Sequence, residues 1–207
     1  MSFNAIILAG GKSKRMGENK ATLKINGIPL IIHVMDALKS AGCEKFLIQI
    51  KSKKDFAILN PLILNYNVNW SFDTSEKSNV LEAIHIALIK AKNLGWEFAQ
   101  LCPIDTPYVS TKLFENINKL LKNNYDVIIP YSNSSINTPS NGLEPLLSCL
   151  NINSAINEFK IVAGKKRFKL VEIFKRMNNK IITPEEWGKW GVTEHTFKNL
   201  NYPHDYQ

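Results

Sequence analysis

The sequence predicts an α/β domain in which a mostly parallel sheet is covered by helices on both faces. Short apolar runs alternate with segments of helical periodicity, and this order is typical of parallel sheets. The chain has 207 residues, enough for one domain with its own core. Because neither an internal repeat nor a linker-like stretch divides it, we expect residues 1–207 to form a single domain.

Short apolar runs predict the strands of this sheet. The runs are rich in β-branched and aromatic residues, and polar or turn-forming residues bound them. They lie at 3–8, 46–50, 67–72, 98–101 and 126–129. Pro130 ends the last run because proline has no N–H to donate to a sheet.

Between these runs the apolar residues recur at helical spacing, which predicts helices. Pro29 stands where a helix can begin, and the amphipathic segment after it ends at Gly42. Ser78 is the predicted N-cap of a second helix, which ends near Gly95.

The second half of the chain continues the pattern. The helix KLFENINKLLKN follows Ser110 or Thr111, and either residue can cap it. Residues 131–142 carry no charge and are rich in turn formers, which predicts a loop rather than a domain linker. At least two more helical segments follow this loop.

Composition disfavours the membrane, secreted and zinc-ribbon classes. No apolar run approaches the roughly 18 residues of a membrane helix. The N-terminal residues lack the basic start and long apolar stretch of a signal peptide. Cys43, Cys102 and Cys149 lie far apart without a CxxC pair, which fits a reducing compartment. We therefore expect a cytoplasmic protein.

The net charge of +8 suggests an anionic partner, such as a nucleotide, a phosphorylated substrate, a nucleic acid or an acidic protein. The densest basic stretch is 164–180, with seven basic residues and one acid, Glu172. Phe168, Val171 and Phe174 recur there at roughly helical spacing, which predicts an amphipathic helix with a cationic outer face. An RNA-binding strip would have the same pattern.

The loop after the first predicted strand, LAGGKSKRMGENK, is the strongest candidate for a binding site. Ligands of parallel α/β sheets bind beyond the carboxyl ends of strands. The glycines of this loop allow close backbone approach, and its cations can neutralise phosphates. It is not a Walker A loop, because Ile6 occupies the position of the required glycine. It is not a GxGxxG loop either, because Gly10 and Gly11 are adjacent.

The ordered motif LAGGxSxRMGxxK resembles the molybdenum cofactor guanylyltransferases, within the nucleotidyltransferase fold shared with sugar-nucleotide pyrophosphorylases. The resemblance implies a three-layer Rossmann-like fold whose loop wraps the triphosphate of a nucleotide. The residues that it assigns to the nucleotide cradle are Leu8, Ala9, Gly10 and Gly11. It also assigns Arg15 and Lys20 to catalysis, where they would offset the charge of the leaving pyrophosphate.

The segment CPIDTPY, with Asp105 at its centre, looks like the family's C-x-x-D-T-P-Y/F segment. The resemblance implies that Asp105 binds the nucleotide and holds Mg²⁺ during catalysis. This agrees with the preference of Mg²⁺ for carboxylate and phosphate oxygens. Without the resemblance, a lone Asp in a loop is more often a turn former or a helix cap.

Two further residues match family positions that contact the nucleotide. Asp73 follows the third predicted strand and corresponds to a nucleotide-binding aspartate, although an Asx-turn would also suit it. Gln49 ends the second predicted strand, where the family often has Asn. The family usually continues after the aspartate with Gly-Pro, whereas this chain has Ser78-Asn79-Val80.

Two later segments also resemble the family. The sequence GLEPLL, which contains Glu144, is similar to the family's G-x-x-E-P-L motif. FKNLNYPHD, near the C-terminus, is similar to F-x-N-x-N-T-P-E-D/E. The resemblance implies that Asn199 and Asn201 border the site of the pterin substrate, although either Asn could instead cap a helix.

The resemblance implies transfer of GMP from GTP to the phosphate of molybdopterin, with release of pyrophosphate and with Mg²⁺ as the cofactor. Other cofactor-biosynthesis or acceptor proteins would then be partners, whereas a membrane or a nucleic acid is not favoured. Two alternatives stay open. One is a cytidylyl- or other nucleotidyltransferase that acts on another phosphorylated small molecule, and the other is a basic nucleotide- or RNA-binding module without catalysis.

Overall fold

The computed structural model describes residues 2–10, 19–75, 78–121, 124–162 and 168–200. The strands are β1 (Phe3–Leu8), β2 (Lys24–Ile25), β3 (Ile28–Pro29), β4 (Cys43–Ile50), β5 (Val68–Phe72), β6 (Phe98–Pro103), β7 (Val127–Pro130), β8 (Cys149–Asn151) and β9 (Asn179–Ile182). The α-helices are α1 (Leu30–Ser40), α2 (Lys53–Leu59), α3 (Val80–Asn93), α4 (Thr111–Leu120), α5 (Ile152–Val162), α6 (Leu170–Arg176) and α7 (Pro184–Lys189).

Seven of these strands form one sheet in the order β5-β4-β1-β6-β8-β7-β9. Neighbouring strands pair in parallel except at β8, which is antiparallel to both β6 and β7. The strands β2 and β3 form a separate antiparallel hairpin ahead of α1. The predicted mostly parallel α/β sheet is therefore confirmed.

Helices cover both faces of the sheet, and β1 shows how the layers are divided. Its residues Ala5, Ile6 and Ile7 are all fully buried. Ala5 and Ile7 pack in the cluster that contains the apolar faces of α1 and α4, whereas Ile6 packs with those of α3, α5 and α6. Because side chains alternate along a strand, one buried strand supplies both cores. This is the predicted three-layer arrangement.

Several predicted boundaries need correction. Strand β4 begins at Cys43, β6 extends to Pro103, and β7 begins at Val127. The helix α4 begins at Thr111, and Ser110 occupies its N-cap position without a side-chain capping bond.

The predicted N-cap of α3 is wrong by one residue. Asn79 caps the helix, and its Oδ1 accepts hydrogen bonds from the amides of Leu81 (2.9 Å) and Glu82 (3.1 Å). The hydroxyl of Ser78 instead accepts a hydrogen bond from the amide of Ser75 at 3.3 Å. The preceding turn therefore takes the side chain that would otherwise have capped the helix.

The predicted basic helix over 164–180 is shorter than expected within the described residues. Residues 163–167 lie outside them, and α6 ends at Arg176. The side chain of Asn179 donates to the carbonyls of Lys175 (3.2 Å) and Met177 (3.0 Å), which satisfies the end of the helix. The chain then enters β9, which contains Lys180 and pairs with β7.

In the described ranges, every helix is too short or too polar to cross a membrane.

His85 lies where α3 packs against α5. Its ring stacks on Phe159, with ring centroids 5.3 Å apart and an interplanar angle of 13°. Its buried Nε2 has no hydrogen-bond partner among the described residues. Partial burial, helped by repulsion from Lys160, lowers the pKa of His85. The packing therefore favours the neutral ring.

We expect the stability of the fold to fall as the pH drops through the range in which an ordinary histidine titrates. The unfolded chain binds a proton at His85 near about pH 6.5, whereas the folded chain binds it only at lower pH. The contribution of His85 is thus present above the unfolded pKa and is lost below it. His85→Phe keeps a stacked ring that does not titrate. Its melting temperature should fall less than that of the parent between about pH 8 and about pH 5. Equal falls in the two proteins would contradict this role of His85.

Candidate functional site

The carboxyl ends of four parallel strands meet at one edge of the sheet. In register, Leu8 lies opposite both Gln49 of β4 and Pro103 of β6. The amide of Ala9 donates to the carbonyl of Gln49 at 2.9 Å, and that of Ile104 donates to Leu8 at 3.3 Å. These bonds continue both ladders beyond the strands, so they fix where the following loops begin.

A cleft of about 290 Å³ lies at this edge. The residues that line it are Leu8, Gly10, Gln49, Lys51, Asp73, Ser78, Asn79, Val80, Ala83, Pro103, Ile104, Asp105 and Leu146. Five predicted nucleotide-binding residues are among them: Leu8, Gly10, Gln49, Asp73 and Asp105. Ala9 does not line the cleft, because it is buried and its amide is bonded within the sheet.

Lys20 and Asp105, both predicted to be catalytic, form an ion pair. The Nζ of Lys20 lies 3.1 Å from Oδ2 of Asp105, and the two side chains are 12% and 30% exposed. Lys20 opens a short turn that Asn19 caps by accepting from the amide of Ala21 at 3.0 Å. Asn19 also donates to Asp55 at 2.9 Å, which anchors the turn to α2. The ammonium group is thereby held beside the cleft.

The donor set around Asp105 fits a metal ion that arrives with a phosphorylated ligand. Within the described ranges, no three His, Cys, Asp or Glu side chains converge as a metal cluster. Asp105 is a carboxylate on the cleft wall. Mg²⁺ is commonly held by one or two carboxylates together with substrate phosphates. One carboxylate therefore suffices for an ion shared with a triphosphate.

Gln49 and Asp73 form a second polar pair. The Nε2 of Gln49 donates to Oδ1 of Asp73 at 2.7 Å. Gln49 is 1% exposed, and its Oε1 is buried without a hydrogen-bond partner among the described residues. Burial raises the pKa of Asp73, although the bond from Gln49 and the charge of Lys51 oppose this. Gln49 therefore holds the Asp73 carboxylate in place on the cleft wall.

Gly10 is required for close approach and not for an unusual backbone angle. Its φ is not positive, unlike that of several other glycines of the described chain. A Cβ atom placed on Gly10 would lie 3.1 Å from Cγ of Lys51 and 3.4 Å from the Lys51 amide nitrogen. The space beside Gly10 is thus taken by Lys51, and the close approach of its backbone to a ligand stays a prediction.

Three predicted site residues, Gly11, Arg15 and Asn201, lie outside the described residues. Asn199 is described and exposed. Its neighbour Leu200 donates its amide to the carbonyl of Asp105 at 2.8 Å, which brings Asn199 near the Asp105 loop.

Sequence reasoning missed Lys51 and Leu146, which line the cleft. A cation directly after a predicted strand was the available signal for Lys51.

Glu144 lies two residues before Leu146. Burial raises the pKa of Glu144 to about 7. Repulsion from Glu194 and Asp105 also raises this pKa, whereas a hydrogen bond from Ser135 lowers it.

Comparison with known proteins identifies the family of this chain. The chain matches the family described as MobA-like NTP transferase domain over residues 5–175. A protein of Methanocaldococcus jannaschii, named probable molybdenum cofactor guanylyltransferase, is 29% identical over 200 residues, which cover 95% of this chain and 92% of the relative. A protein of the same name from Natranaerobius thermophilus is 26% identical over 219 residues. The alignment covers 99% of this chain and 93% of that relative.

Solved structures show the same fold. Molybdopterin-guanine dinucleotide biosynthesis protein A from Archaeoglobus fulgidus superposes with a TM-score of 0.74 at 22% identity, covering 99% of this chain and 95% of that one. 4-Diphosphocytidyl-2C-methyl-D-erythritol synthase from Anaerococcus prevotii superposes with a TM-score of 0.72 at 13% identity. The superposition covers 98% of this chain and 94% of that one. The predicted fold class is confirmed.

Gly10→Val should weaken the binding of nucleoside triphosphates, because its side chain would displace that of Lys51 and occupy space at the cleft wall. Titration calorimetry with GTP and with CTP would measure the loss. Gly188→Val is a matched control, since a Cβ on Gly188 meets nothing within 4 Å and its φ is not positive. A folded Gly10→Val protein that binds nucleotide as tightly as the control would remove this loop from the site.

Proposed function

This chain belongs to the family of MobA-like NTP transferase domains and is a nucleotidyltransferase, and from that premise we propose that it transfers GMP from GTP to the phosphate of molybdopterin. Pyrophosphate leaves, and the product is the guanine dinucleotide form of the cofactor. The observation that carries the proposal is that Gln49, Asp73 and Asp105 line one and the same cleft. Relatives named for this activity align over nearly their whole length, which supports the same choice.

The polar pair in the cleft supports guanine as the base. The carboxylate of Asp73 lies on the cleft wall, and the buried side chain of Gln49 orients it by donating to Oδ1. Guanine carries adjacent N–H donors at N1 and N2, whereas cytosine has donors only at N4. A carboxylate can accept from both of these adjacent donors, so Asp73 favours guanine.

The chemistry asks the protein mainly for positioning and charge stabilisation. The acceptor phosphate attacks the α-phosphorus in line with the leaving pyrophosphate. Lys20 would stabilise the charge that builds on the pyrophosphate, and its ion pair with Asp105 keeps the ammonium group at the cleft. A general base is not needed, because the attacking phosphate is already ionised near neutral pH. Arg15 would assist Lys20 and stays a prediction from the resemblance.

Asp105 would hold Mg²⁺ that enters with the nucleotide. When bound, the ion would withdraw charge from the phosphate oxygens and orient them. On the acceptor side, Asn199 and Asn201 would contact the pterin. We place the reaction in the cytoplasm, where other proteins of cofactor biosynthesis would supply the acceptor and take up the product.

Pyrophosphate release with each of the four ribonucleoside triphosphates, with and without molybdopterin, tests the proposal. We expect release only with GTP and molybdopterin together. Release with CTP instead would favour a cytidylyltransferase. Nucleotide binding without release under any condition would indicate a binding module.

Asp105→Asn separates a metal ligand from a loop former. The amide keeps the size and the capping ability of the side chain but removes its charge. The fold should survive, and turnover should fall by at least about a hundredfold, which corresponds to about 2.7 kcal/mol. The rate should also require a higher Mg²⁺ concentration, which a folding defect would not cause. Rates across an Mg²⁺ titration, together with a thermal melt, measure both effects.

Asp36→Asn is the control for this experiment. Asp36 lies on α1 away from the cleft lining, and it accepts a hydrogen bond from Tyr66 at 2.6 Å. Parental turnover and an unchanged Mg²⁺ midpoint in Asp105→Asn would exclude Asp105 from the reaction.

A further inference from the structure

The loop after β7 is fastened to the C-terminal part of the chain. The hydroxyl of Ser132 donates to Oε1 of Glu194 at 2.6 Å, and the amide of Ser134 donates to the same oxygen at 2.7 Å. Ser132 is fully buried. Partial burial would raise the pKa of Glu194, but the hydrogen bonds from Ser132 and Ser134 outweigh it and hold this pKa below its usual value. Glu194 is thus an ionised carboxylate whose hydrogen bonds join two loops.

The segment that begins at Glu194 is held at its other end by the Asp105 loop. The ring of His195 lies 4.2 Å from that of Tyr108, measured between centroids. Phe197 is 2% exposed and anchors the turn in the core. The amide of Leu200 then donates to the carbonyl of Asp105 at 2.8 Å. Asn199 lies between these anchors.

The strand order separates this segment from the nucleotide. Asp105 follows β6. Gln49, near the end of β4, and Asp73, which follows β5, lie on one side of it. The loop that carries Ser132 follows β7, on the other side of β6. The fastened loops therefore lie on the side of Asp105 that the nucleotide base does not occupy.

We propose that Glu194 is a positioning residue for the acceptor: by joining residues 194–197 to Ser132 and Ser134, it fixes Asn199 relative to Asp105. This inference rests on the proposed function, since it assigns the acceptor phosphate and its pterin to that side of the cleft. Glu194 does not contact the acceptor itself but sets the position of the backbone that carries Asn199. Its loss would leave the hydroxyl of Ser132 buried without this partner, while Phe197 would still anchor the turn.

Steady-state kinetics of Glu194→Ala and Glu194→Gln test the inference, with GTP and molybdopterin varied separately. The amide oxygen of Gln can accept both hydrogen bonds, so Glu194→Gln should keep parental constants. Glu194→Ala should raise the KM for molybdopterin by about tenfold, while kcat and the KM for GTP change by less than about twofold. Ser132→Ala should give a smaller rise of the same kind. Glu185→Ala, an exposed carboxylate on α7, is the control and should match the parent.

Two kinetic results would overturn the inference. If Glu194→Gln behaved like Glu194→Ala, the charge and not the fastening would matter. If Glu194→Ala raised the KM for GTP and that for molybdopterin equally, the effect would be a general loss of structure.

Amide hydrogen exchange gives a readout that does not depend on activity. The Leu200 amide should exchange faster in Glu194→Ala and at the parental rate in Glu194→Gln. Unchanged exchange in Glu194→Ala would overturn the inference even if the parent were active. A parent that released no pyrophosphate from GTP and molybdopterin would overturn the proposed function instead, and the exchange rates would still decide whether Glu194 holds the segment.

Discussion

The parallel pairing of β1 with β4 and β6 is the constraint on which the site depends. The side chains of Ala5, Ile6 and Ile7 are buried on alternate faces of the sheet. If the strand slipped by one residue, each of these side chains would move to the opposite face and the packing of both cores would be lost. Its register brings Leu8 beside Gln49 and Pro103. The loops that leave these strand ends then start within reach of one another. The cleft is a consequence of where apolar strands stop.

Charge in the site is arranged in pairs that join separate parts of the chain. Lys20 and Asp105 connect the segment after β1 with the loop after β6. The pair is partly buried, so desolvation opposes its attraction, and phosphate oxygens or a metal ion would give each partner a further interaction. Elsewhere, Arg176 pairs with Glu158 at 2.6 Å and Lys180 pairs with Glu186 at 2.7 Å. Part of the basic stretch is thus neutralised within the protein, so its charge density alone does not imply a nucleic-acid partner.

The sequence allowed prediction of elements whose pattern is local. Strand β1 and the helices α1 and α3 have continuous or periodic apolar residues, and the structure confirms them. Strand β8 was missed because it has three residues and exists through pairing with β6 and β7, which no local pattern shows. Helix α2 was also missed, since Pro61 limits it and its stability depends on the capping box of Ser52 and Asp55. In the site, motif order predicted Gln49, Asp73 and Asp105. Lys51 and Leu146 were given no role, although Lys51 follows a predicted strand and Leu146 lies in the GLEPLL segment.

The antiparallel direction of β8 explains how the chain reaches the cleft once more after β7. In an all-parallel sheet only the residues that follow a strand lie at its carboxyl edge. Because β8 runs in the opposite direction, the residues that precede it lie at this edge instead. Glu144 and Leu146 lie in the segment that leads into β8, and Leu146 lines the cleft. The amide of Glu144 donates to the carbonyl of Pro130 at 2.8 Å, which closes the loop of Ser132 against the end of β7. One reversed strand thus gives the cleft a second wall, on the side where the acceptor would bind.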